Sequence, residues 1–152
     1  MTPETAARLV DGLGDAFASG DVAMVLRCFA ADGDVLYAGS EASEVAVGAA
    51  ALTSLLEDLF ARDERYSWRC GAVHVLRLPL GATGGALVAV VAEATLTLNP
   101  VGGGAPNEDD LPYRVSGLLE KQGDGWAWRV CQGAEPAPPV IVSAATSGTA
   151  PQ

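Results

Sequence analysis

Apolar residues near the start of the chain recur at three- and four-residue steps. Ala6, Leu9, Val10, Leu13, Ala16 and Phe17 fall on one stripe, the spacing that gathers side chains on a single face of a helix beginning near Thr2. Pro3 suits its first turn, where a missing N–H costs nothing. Ser19-Gly20 ends that helix, and Asp21 offers an oxygen to cap a second, whose Val22, Val25, Leu26 and Phe29 again share a face. A third stripe, Leu52, Leu55, Leu56, Leu59 and Phe60, follows Gly48, and the run from Arg62 to Arg65 is its polar exit.

The remainder alternates with a period of two. Val35-Leu36-Tyr37-Ala38 reads as a short strand, and the polar stretch from Ser40 to Glu44 is not expected to join a ladder. Residues 66–78 and 86–98 are long β-rich segments joined by Gly81-Ala82-Thr83-Gly84-Gly85, whose glycines allow the positive φ of a hairpin turn. Residues 113–121 and 126–132 form a second hairpin around Gly123-Asp124-Gly125, entered at Pro112 and left at Pro136. A sheet of about five strands is expected. Residues 99–111, rich in Gly and Pro, predict a mobile loop. Helices first and strands afterwards give an α+β arrangement, three helices packed on one face of a bent antiparallel sheet that encloses a pocket. The domain is expected over residues 1–135, and 136–152 form a Pro/Ala/Ser/Thr tail in which Val140-Ile141-Val142 can dock as an added strand.

Composition narrows the partners. Of the 152 residues 49% are hydrophobic and 18% charged, which suits one apolar core and leaves no length for a second ordinary domain. Nine Lys plus Arg against nineteen Asp plus Glu leave a net charge of −10, which repels phosphate backbones and anionic bilayers. No nucleic-acid and no membrane partner is therefore expected. The longest apolar stretch, 86–92, falls far short of the roughly 20 residues that span a bilayer, and no charged start leads into an apolar targeting segment. A cytoplasmic location is expected. Cys28, Cys70 and Cys131 are odd in number and widely spaced, as reduced core thiols would be, with no C-x-x-C pair for zinc or redox chemistry. Glu108-Asp109-Asp110 lacks the spaced ligands and glycine of a calcium loop, and Gly102-Gly103-Gly104 lacks the Lys and Ser/Thr of a phosphate cradle. Neither a metal nor a cofactor is expected.

Several short motifs occur in a telling order: Ala18-Ser19-Gly20-Asp21, then Phe29-Ala30-Ala31-Asp32-Gly33-Asp34-Val35, a strand, Gly48 before a helix, and Gly125-Trp126-Ala127-Trp128-Arg129-Val130 near the end. In this the chain resembles the SnoaL-like branch of the nuclear transport factor 2-like superfamily over roughly residues 3–135. The resemblance implies a cone-shaped fold, a bent sheet wrapped around three helices, a conical cavity, and a homodimer formed through the outer surface of the sheet. The superfamily hosts isomerases, cyclases, dehydratases and non-catalytic modules, so fold alone does not choose among them. Ketosteroid isomerases of this fold use a carboxylate base with a tyrosine and a protonated aspartic acid. Matching the motifs puts Leu13 at the tyrosine, Tyr37 near the base and Gly117 at the acid. That apparatus is missing, because a leucine and a glycine offer no proton.

Other polar groups can serve the pocket. Strand alternation sets His74 in one row with Trp68, Cys70 and Leu76, and Glu93 in another with Ala89, Val91 and Thr95. If register brings them together, His74 and Glu93 form a general acid–base pair. The alternative reading leaves His74 on a partly exposed or dimer-facing strand and Glu93 solvated or paired with Arg69 or Arg77, since a one-residue slip turns one of the two away. Trp68, Trp126 and Trp128 can stack on a flat or polycyclic ligand or simply fill the core. Tyr37, Tyr113 and Gln132 are candidates to orient a carbonyl oxygen. The chain is thus expected to bind a small organic ligand, apolar or polyketide-like, in an apolar pocket, as a cofactor-free isomerase, cyclase or dehydratase. The alternative is a non-catalytic ligand-binding or dimerisation module.

Overall fold

A computed structural model describes residues 1–79, 85–102 and 110–137. The turn at 81–84, Gly103-Gly104, Glu108-Asp109 and the tail from 138 onward, with Val140-Ile141-Val142, lie outside the described residues. Among the described residues three helices and six strands follow in the order α1 (Pro3–Ser19), α2 (Val22–Leu26), β1 (Leu36–Ala38), β2 (Val45–Val47), α3 (Ala49–Phe60), β3 (Glu64–Leu78), β4 (Leu87–Pro100), β5 (Leu111–Gln122) and β6 (Gly125–Ala134). Among the described residues no helix is long and apolar enough to cross a membrane.

Local chemistry sets the helix ends. The Thr2 hydroxyl accepts the Thr5 N–H at 3.3 Å to open α1, and Gly20, at φ 66°, closes it by donating to the Phe17 carbonyl. Asp21 Oδ1 then accepts from Ala23 and Met24 to start α2. That helix stops sooner than its apolar stripe suggests. Phe29 leaves it and its backbone bridges in parallel to Trp128, while its buried ring meets Tyr37 edge-on.

The strands form one sheet in the order β2-β1-β6-β5-β4-β3. Every neighbouring pair is antiparallel except β1 and β6, which run parallel with Tyr37 opposite Cys131. The additional strand is β2, at the end of the polar stretch and paired with β1. Two bulges alter which residues face inward. On β3 the register shifts between Cys70 and Val73, and on β6 Arg129 is the extra residue between Trp128, opposite Leu119, and Val130, opposite Leu118. Each bulge inverts the alternation beyond it. Arg129 is held there by Asp32, to which it donates at 2.5 and 2.8 Å, by the Asp34 carbonyl and by Glu120.

The helices lie against the concave face, where Val10, Leu13, Phe17, Leu52 and Leu56 meet Val88, Val90, Val115 and Leu119. Helix α1 touches β3 almost without spacing. A Cβ on Gly14 would stand 2.6 Å from the Trp68 carbonyl oxygen. Beside this contact the Trp68 indole donates to the Val10 carbonyl at 3.0 Å, and the Cys70 N–H, freed at the bulge, donates to Asp11 Oδ1 at 2.7 Å.

Two glycines on the same helix should therefore respond in opposite ways. Gly14→Ala forces backbone apart and is expected to destabilise by about 1–3 kcal/mol. Gly12→Ala meets nothing within 4 Å and is expected to stabilise by about 0.4–1 kcal/mol, because alanine loses less backbone entropy in a helix. Urea midpoints of the two variants check this, and equal shifts of the same sign would contradict the close approach.

Candidate functional site

The curled sheet leaves a hollow between α1, the end of α3 and strands β3 to β5. Its volume is about 210 Å³. One wall is a continuous arc of rings: Tyr37 from β1, Phe17 from α1, Trp68 from β3 and Tyr113 from β5. Phe17 lies 5.8 Å from Tyr37 and 5.0 Å from Trp68, and Trp68 lies 5.7 Å from Tyr113, centroid to centroid. Leu59, Leu96, Leu98 and Leu111 complete the apolar lining. Such dimensions suit one substituted ring or two small fused rings, since a cavity of about 150 Å³ already holds benzene.

The mouth is acidic. Ser40, Glu41 and Glu44, from the connection between β1 and β2, reach it together with Tyr66 and Glu135. Glu44 is the one buried charged residue among the described residues, at 6% exposure. Its Oε2 accepts the Glu41 N–H at 3.3 Å, and its Oε1 lies 3.4 Å from Arg62 Nη1. Arg62 also donates to Glu41 at 3.3 Å and to the Tyr66 hydroxyl at 3.1 Å. Two glycines open the space these groups occupy. A Cβ on Gly39 would collide with the Glu44 carboxylate, and one on Gly133 with the Tyr113 hydroxyl.

Both wall tyrosines stay protonated. Burial raises the Tyr37 phenol well above its ordinary range, with the neighbouring Tyr113 and the Glu44 charge adding to the effect. Tyr113 is raised in the same way, first by burial and then by Cys131 and Glu44. Among the described residues neither phenol oxygen has a hydrogen-bond partner, whereas that of Tyr66 is engaged by Arg62. Two O–H donors at the cavity wall are thus available to whatever enters it.

Tyr37, Trp68 and Tyr113 are therefore brought together at the cavity. Trp128 is not at its wall: it lies behind, 1% exposed, with its indole N–H unpartnered among the described residues. Gln132 points the other way, because the Arg129 bulge turns Trp128 and Cys131 inward and Val130 and Gln132 outward. His74 and Glu93 are both on the exposed outer face, His74 opposite Val91 and Glu93 opposite Arg114, two positions apart along β4. The bulge at Gly71-Ala72 is what carries His74 out of the Trp68 row. Arg69 pairs with Asp15 at 2.7 Å. The carboxylates at the mouth were not among the sequence candidates. Their signal was an acidic stretch, Glu41 to Glu44, wedged between two short apolar strands, where a solvated turn and a cavity rim read alike.

The sequence profile of the SnoaL-like domain matches residues 7–132. The chain belongs to the SnoaL-like family. Solved structures agree in fold. A protein of Novosphingobium aromaticivorans provisionally named an aromatic ring hydroxylase is 14% identical with a TM-score of 0.68, each chain covered over 90% of its length. ActVI-ORFA of Streptomyces coelicolor is 16% identical with a TM-score of 0.64, covering 86% of this chain and 94% of that one. An NTF2-like protein of Pseudomonas putida is 14% identical with a TM-score of 0.61, covering 88% and 86%. No curated protein matches in sequence. The α+β cone expected of the SnoaL-like family is thus the fold observed, and the cavity occupies its hollow.

Gly133→Ala in this SnoaL-like domain should push the Tyr113 phenol out of place and destabilise by about 1–3 kcal/mol. Adding Tyr113→Phe removes the colliding oxygen and should recover part of the loss, a coupling that a double-mutant cycle of urea midpoints measures. Strict additivity would contradict the contact.

Proposed function

We propose that the cavity binds a small ring compound bearing a carbonyl group and moves a proton on it without a cofactor. The observation that carries this reading is Glu44, a buried carboxylate at the wall of an aromatic hollow that also offers two unpartnered, protonated phenols. Glu44 would take a proton from the carbon next to the carbonyl, the C–H electron pair would delocalise onto the oxygen, and Tyr37 or Tyr113 would donate a hydrogen bond to the oxyanion formed. Return of the proton to another carbon completes an isomerisation. Loss of a β-hydroxyl as water, carrying that proton, completes a dehydration. Cyclisation would use the same enolate as its nucleophile.

The test is hydrogen–deuterium exchange at the methyl group of 4-hydroxyacetophenone in D₂O, followed by proton NMR. Catalysed exchange is expected with the native chain, slowed about a hundredfold by Glu44→Gln, the usual scale for losing a general base. Exchange no faster than in buffer would overturn the catalytic reading. A second reading, binding without turnover, draws on the Arg62 contacts, which engage Glu44 as a structural anchor of the 39–44 turn. Saturable binding with no exchange would favour it.

We also propose that the outer face of the sheet carries a homodimer, the face on which His74 and Glu93 stand. Register aligns Val47, Leu36, Val130, Leu118, Ala89 and Leu76 in one apolar row across all six strands. Val47 is 71% exposed and Leu76 64%, an uncovered patch of a kind that marks association surfaces. Sedimentation equilibrium should find a dimer for the native chain and a monomer for Leu76→Glu. A monomeric native chain at tens of micromolar would remove the proposal.

A further inference from the structure

We infer that the ligand of this cavity carries a positive charge, as a small ring-bearing ammonium compound does; this deepens the proposed function and rests on its reading of the cavity as the ligand site. Rings and carboxylates together support it. Among the described residues that line the cavity three are carboxylates, Glu41, Glu44 and Glu135, and none is Lys, Arg or His. Arg62 stands behind the rim and offsets one of them, since it pairs with both Glu41 and Glu44. Among the described residues an excess of two negative charges remains at the mouth.

The lining behind this acidic mouth is the arc Tyr37, Phe17, Trp68 and Tyr113, whose ring faces are electron-rich and attract cations. The hollow is also lined by two polar groups with no hydrogen-bond partner among the described residues, the hydroxyls of Tyr37 and Tyr113, on residues 4% and 7% exposed. A bare metal ion is a poor fit. Among the described residues no group of three or more His, Cys, Asp or Glu is arranged to hold one. The negative charge is spread around an aromatic volume instead of converging on a point, which matches a diffuse organic cation. An anionic ligand would meet uncompensated carboxylates at the mouth, and repulsion there is poorly screened once water is displaced.

Three probes of one ring and nearly one size separate the possibilities: benzylamine, protonated at neutral pH, benzyl alcohol and benzoate. Each is titrated into the native chain at 0.15 M salt, with backbone amide shifts of cavity residues such as Tyr113 and Leu96 as the readout. Benzylammonium is expected to bind about tenfold or more tighter than benzyl alcohol, with benzoate weakest. Glu135→Gln should weaken benzylammonium about two- to fivefold while leaving benzyl alcohol unchanged, because it removes charge from a rim position. Benzyl alcohol binding as tightly as the ammonium, or a Glu135→Gln variant indifferent to charge, overturns the cationic ligand while the cavity reading stands. Shifts at none of the cavity residues with any probe overturn both.

Discussion

The architecture depends on the seating of α1 directly on the backbone of β3. Gly14 permits it by having no side chain where the Trp68 carbonyl stands, and two hydrogen bonds, Trp68 to Val10 and Cys70 to Asp11, hold the elements at that distance. A helix so close to a long strand obliges the sheet to curl around it. The bulge at Gly71-Ala72 bends the strand, and the Cys70 N–H beside it donates to Asp11 on the helix.

The cavity inherits its chemistry from the same contact. Trp68 and Phe17 are both at the α1–β3 junction and form the middle of the aromatic arc, while Tyr37 and Tyr113 extend it onto β1 and β5. The acidic mouth comes from a different source, the short connection between β1 and β2, folded back so that the Gly39 N–H donates to the Glu44 carbonyl at 2.7 Å. A rigid apolar wall therefore meets a polar lip supplied by loop-like chain. This division of labour is common in sites where a scaffold positions a ligand and short connections recognise it.

Much of the fold was legible because it rests on local signals. The three apolar stripes marked the helices, the Asp21 cap and the Gly20 terminator fixed where two of them meet, and the glycine clusters separated the long strands. The parallel pairing of β1 with β6 was not legible, since it joins residues about a hundred positions apart through backbone alone. The candidate site divided along the same line. Tyr37, Trp68 and Tyr113 stand on strand stretches where the alternation runs unbroken and reach the cavity. Gln132 and His74 lie beyond bulges, where counting by twos gives the wrong face. Glu44 is marked only by an acidic stretch that reads equally as a solvated turn, because its burial is created by Gly39 and by the rim that surrounds it.

By itself the amino-acid order determined the three helices and all the strands but β2, their succession along the chain, an apolar core and a strongly negative net charge, each a property of neighbouring residues or of composition. Which strand faces turn inward, how α1 seats against β3, and which carboxylate is withdrawn from water were decided only in the tertiary structure. The reason is physical: a bulge or a missing Cβ changes the direction of distant side chains through geometry that no short stretch of residues contains.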